Sequence, residues 1–141
     1  NNNQLDSTLV ALTSDEPLDY NNKGIKSTNV FSQLDECELD DLFIFSYSKS
    51  INQYVWLMDE NKKSCDDNPP YYIKNEGAFK PDPTQKTIEF YDDEKELVFK
   101  ATNVKLIEEN KADIGITFTL TFDFYDPYFK TTLHYKYVKK Y

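Results

Sequence analysis

The sequence predicts an all-β domain of antiparallel strands, and three observations carry that reading. Apolar and polar residues alternate with period two through most of the chain after residue 87. Short polar turn clusters, "SKSIN", "DDEK", "ENKAD" and "YDPY", separate the alternating runs. A single stretch, near 32–41, has helix-like spacing, so at most one short helix is expected. Such long strands with only three glycines suit a β-sandwich or a strongly curved open barrel of about six to eight strands.

In chain order, residues 1–7 read as a flexible polar leader, and residues 8–141 as one domain. Leu9, Val10, Ala11 and Leu12 make the only apolar patch before residue 25 and suggest a short strand over 8–13. Leu34, Cys37, Leu39 and Leu42 fall at helical spacing, with Ser32 as the expected N-cap. The runs Leu42–Tyr47 and Gln53–Met58 flank "SKSIN" and predict a hairpin. Residues 61–86 hold four of the six prolines and one of the three glycines, and read as a long loop.

From residue 87 the chain reads as a meander. Leu97, Phe99 and Ala101 share a face, after which the alternation slips to Val104 and Leu106. One extra residue near Asn103 accounts for the slip and predicts a β-bulge. Ile116, Phe118, Leu120, Phe122 and Phe124 then point one way, with Thr117, Thr119, Thr121 and Asp123 opposite. Pro127 presets the next turn. The final strand puts Phe129, Thr131, Leu133, Tyr135 and Tyr137 on one face, with Lys130, Thr132, His134, Lys136 and Val138 on the other.

Charge narrows the function classes. The net charge is −9, all sixteen cations are lysine, and four of those lie in the last fourteen residues. A chain without arginine and with an acidic body is a poor nucleic-acid binder, since bidentate grip on phosphate or guanine is arginine chemistry. Three glycines leave little material for a phosphate-binding loop, and no catalytic signature occurs. His134, the lone histidine, has no acid or nucleophile near it in sequence and reads as a solvent-facing structural residue. No enzyme activity, cofactor or metal site is expected.

Cys37 and Cys65 match no zinc spacing, and a disulfide in an oxidising compartment is the expected pairing. Closing a loop of about 29 residues stabilises a fold by roughly 3 kcal/mol. Each cysteine lies within a run of acids. Joined, they are expected to gather Asp35, Glu36, Glu38, Asp40, Asp41, Asp66 and Asp67 on one rim, beside Tyr71 and Tyr72.

The first functional expectation is therefore an exported, acidic protein-binding module acting by occlusion of a basic protein partner. An inhibitor, an immunity-type protein or a surface receptor would work in this way. Its location would be secreted, periplasmic or cell-surface, with membrane contact only through an N-terminal lipid anchor outside this chain. The alternative is a small apolar-ligand carrier with a lipocalin-like interior lined by Phe118, Leu120, Phe122, Leu133 and Tyr135.

Overall fold

The computed structural model describes residues 4–59, 73–113 and 115–139. Among the described residues nine strands run in the order β1 (Gln4–Leu18), β2 (Ser27–Asn29), β3 (Leu42–Ser48), β4 (Gln53–Asp59), β5 (Ile73–Asp82), β6 (Thr87–Tyr91), β7 (Leu97–Lys111), β8 (Gly115–Asp126) and β9 (Thr131–Lys139). All pairings are antiparallel. Strands β3 to β9 form an up-and-down meander, and β1 pairs with both β3 and β9, closing an eight-stranded barrel. β2 is an extra strand on β1. The fold is thus the barrel rather than the sandwich, and it is closed rather than open.

β1 carries the closure. Its first residues, Gln4–Ser7, pair with Ser46–Phe43 of β3, and Ser7–Ser14 pair with Lys139–Leu133 of β9. The strand therefore begins inside the stretch expected as a leader and extends well beyond the predicted 8–13. A register shift between Leu9 and Ala11 pushes Val10 outward, where it is exposed. The buried Ser7 hydroxyl donates to the Phe43 carbonyl at 2.7 Å, tying β1 to β3 at the point where the two edges part.

The expected helix is present as two shorter pieces, a 3-10 turn at Val30–Gln33 and α1 at Glu36–Leu39. Asn29 caps the first, its Oδ1 accepting from Ser32 N–H, so Ser32 is inside that turn rather than its cap. At α1 the Glu38 carboxylate accepts the Asp35 N–H at 3.2 Å, half of a capping-box exchange. Gln33 holds the preceding loop: its Oε1 accepts the Tyr20 N–H at 2.6 Å and its Nε2 donates to the Leu18 carbonyl at 2.8 Å.

Part of the stretch read as loop over 61–86 is β5, a strand paired on both sides. Gly77 and Pro81 disguised it, and each has a structural reason. Gly77 lets the Tyr91 carbonyl of β6 lie directly on β5. Pro81 lies beyond the last β4 pairing at Val55↔Ala78, where β6 alone flanks the strand. The hairpin β3–β4 and the strands β6 to β9 follow the sequence reading closely. The bulge is also where the alternation slips: Thr102↔Asp123 is followed by Lys105↔Thr121, and Asn103 takes a positive φ of 50°.

Among the described residues two apolar clusters form the core. The larger is the barrel interior, where Phe43, Phe45, Trp56, Phe90, Leu120, Phe122 and Tyr137 are buried. The smaller, Leu12, Leu18, Val30 and Leu133, seals the barrel end beneath the 3-10 turn.

Candidate functional site

The interior residues come from alternate positions of successive strands, so their rings converge on the barrel axis. Phe122 stacks on Tyr135 with centroids 5.0 Å apart, and Phe43 meets Tyr137 edge-on at 5.2 Å. The packing leaves a cavity of about 270 Å³ lined by Phe43, Trp56, Met58, Phe90, Val98, Phe99, Phe122, Tyr135 and Tyr137. The Trp56 indole N–H is satisfied by the Tyr91 carbonyl at 2.8 Å, which fixes the ring as part of the cavity wall.

A second cavity, of about 190 Å³, adjoins the first at the α1 end and shares Met58, Tyr135 and Tyr137 with it. Tyr20, Glu38 and Asp41 make this end polar, while Leu9, Leu12 and Leu34 complete its wall. Burial, with smaller contributions from the Glu38 and Asp126 carboxylates, raises the Tyr20 pKa. Burial also pushes the Tyr135 and Tyr137 phenols far above their ordinary value, the Asp126 and Asp41 carboxylates adding to the effect. All three phenols remain neutral at any physiological pH. A third hollow, of about 420 Å³ at the opposite end, is lined by Leu5, Tyr47, Tyr54, Phe79, Leu106, Phe118 and Lys139 among others.

The residues expected in the ligand interior divide accordingly. Phe122 lines the larger cavity, Leu120 is buried in the barrel core without lining either cavity, and Tyr135 lines both. Phe118 belongs to the hollow at the opposite end and Leu133 to the small sealing cluster.

The expected acidic rim divides too. Asp35 and Glu36 are exposed, whereas Cys37, Glu38, Asp40 and Asp41 are half-buried, and Glu38 and Asp41 turn toward the cavity. A four-residue helix presents different sides within one turn, so neighbouring acids cannot all face outward. Cys65, Asp66, Asp67, Tyr71 and Tyr72 lie outside the described residues. Asp59 and Ile73, which flank that segment, pair with each other at the α1 end.

Sequence reasoning missed the partners of His134. Its Nδ1 lies 2.6 Å from Asp123 Oδ1 and its Nε2 2.7 Å from Asp15 Oδ1, with the Asn103 amide donating to the other Asp123 oxygen at 3.3 Å. Asp123 is directly opposite His134 on β8, and Asp15 follows the Thr13↔His134 pairing on β1, so this clasp crosses the seam that closes the barrel. The hydrogen bonds to Asp15 and Asp123 raise the His134 pKa above 6.5, since only the imidazolium can donate from both nitrogens.

A raised folded pKa stabilises the fold fully below about 6.5, and that contribution disappears as pH climbs through the raised value. The side chain is 40% exposed, which screens the interaction. We therefore expect a modest loss of about 2–5 °C in Tm as pH rises from 6 to 9, absent in His134→Gln. Parallel Tm–pH profiles for the two proteins would contradict the clasp.

Among the described residues no group of three or more His, Cys, Asp or Glu could hold a metal ion, and no helix is long and apolar enough to cross a membrane. Comparison with protein-family models, with curated proteins and with solved structures finds no match to this chain.

Proposed function

We propose that this chain is a non-catalytic binding protein that carries a small apolar ligand inside its barrel. The single observation behind this reading is the interior cavity of about 270 Å³, walled by aromatic side chains and sharing three lining residues with a smaller polar-ended one. A largely apolar hollow with a few convergent polar groups is the usual form of a small-molecule site. Dry apolar cavities of smaller size already take up benzene-sized guests.

The reading as an acidic module that occludes a basic protein has weaker support. It rests on the −9 charge and on exposed Asp35 and Glu36, while two of its carboxylates turn inward. A disulfide between Cys37 and Cys65 belongs to the proposal and would favour an exported protein on either reading.

Trp56 is the only tryptophan and lines the cavity, so it reports occupancy directly. Adding an alkylbenzene to purified protein is expected to shift Trp56 emission. Native mass spectrometry after alkylation without reductant is expected to show a bound small molecule and no alkylated thiol. An unresponsive Trp56 together with a ligand-free mass would remove the carrier reading, and two alkylated cysteines would remove export.

A further inference from the structure

The polar end of the interior has a chemistry that selects a ligand class. Three phenol rings, Tyr20, Tyr135 and Tyr137, and two carboxylates, Glu38 and Asp41, line a cavity of about 190 Å³ that shares Met58, Tyr135 and Tyr137 with the lining of the aromatic-walled interior. Among the described residues no lysine lines either cavity. We propose that the ligand is a small amphipathic amine, its ammonium head lodged among these tyrosines and carboxylates and its apolar body in the barrel interior. The proposal rests on the ligand-binding reading above and adds the identity of the head group.

The physical argument has three steps. A cation over the face of an aromatic ring is attracted by the ring quadrupole, and rings grouped around one cavity form the kind of cage that holds ammonium groups. Two carboxylates add direct charge attraction, which strengthens as water is excluded. The tyrosines themselves register the negative field, because the nearby Glu38, Asp41 and Asp126 carboxylates help to hold their protons. An anionic head would meet the same field as repulsion, and a neutral head would gain neither term. The 190 Å³ space suits a head group and the 270 Å³ space a short hydrocarbon or single-ring body. Glu38 keeps its fold role meanwhile, its Oε1 accepting the Asp35 N–H.

The test compares 3-phenylpropylamine with 3-phenylpropan-1-ol by calorimetric titration of the whole protein at neutral pH. The amine is expected to bind about tenfold more tightly. In Glu38→Gln and in Asp41→Asn that preference should shrink several-fold while affinity for the alcohol stays constant. Glu38→Gln retains an oxygen for the Asp35 N–H, so it carries the test even if Asp41→Asn fails to fold. Equal affinities for the two compounds would overturn the amine assignment and leave the cavity reading intact. A preference that survives in Glu38→Gln and in every folded carboxylate variant would also overturn it. Binding of neither compound would overturn the carrier reading itself.

Discussion

Gly77→Ala is expected to cost at least about 3 kcal/mol, enough to leave much of the chain unfolded at 37 °C. A Cβ on Gly77 would sit 1.7 Å from the Tyr91 carbonyl oxygen, 2.7 Å from its carbon and 2.9 Å from the Asp92 carbonyl carbon. All three are backbone atoms, so no rotamer change relieves the clash. The end of β6 would have to lift from β5, and the Trp56 indole would lose its 2.8 Å acceptor as it did so. The loss is therefore double: overpacking, plus an indole N–H and a carbonyl left without each other. Gly24→Ala is the control, because its φ of +90° strains an alanine by about 1–2 kcal/mol while nothing lies within 4 Å of the new methyl. Denaturant midpoints read both. A Gly77→Ala protein no less stable than Gly24→Ala would mean that β6 does not rest on β5 as described.

The same residue explains why part of the fold was hidden in the sequence. Between Ile73 and Asp82, Gly77 and Pro81 are the residues that ordinarily end strands, and their purpose here, a close approach and a strand terminus, exists only once β6 is in place. The strands β8 and β9 were legible because period-two alternation is a local property of Phe118 to Phe124 and Phe129 to Tyr137. Barrel closure was not, because Ser7↔Lys139 joins opposite ends of the chain and neither partner marks the other. The site was half legible for related reasons. Leu120 and Phe122 declared an inward face, whereas the direction of Glu38 and Asp41 depends on how a one-turn helix seats against the barrel end. His134 was assigned to the solvent side correctly. Its two carboxylate partners follow from register on two different strands, which no spacing along the sequence encodes.

Phe90→Ala is expected to be the second severe substitution, and it also separates a filled core from a ligand site. Phe90 is 1% exposed, and its ring has neighbours on every side: Phe43 at 5.4 Å, Trp56 at 5.6 Å, Phe99 at 5.7 Å and Phe79 at 5.9 Å between centroids. Truncation removes its transfer energy and enlarges the 270 Å³ cavity it lines, for a loss of about 3–5 kcal/mol. A barrel built to hold an apolar guest should regain part of that loss when one is supplied. At a concentration of toluene one hundred times its Kd, mass action returns about 2.7 kcal/mol. Leu133→Ala removes an equally buried side chain from the small sealing cluster, outside either adjoining cavity lining, and is expected to lose about 2–5 kcal/mol and to gain from toluene only what the unaltered barrel gains through its own cavity. Thermal melts of both variants with and without toluene make the comparison. If toluene raises Tm by the same amount in both, the space left by Phe90 adds nothing to what the unaltered cavity already holds. If it rescues neither, collapse of the surrounding rings has closed the space, and the interior is core rather than binding site.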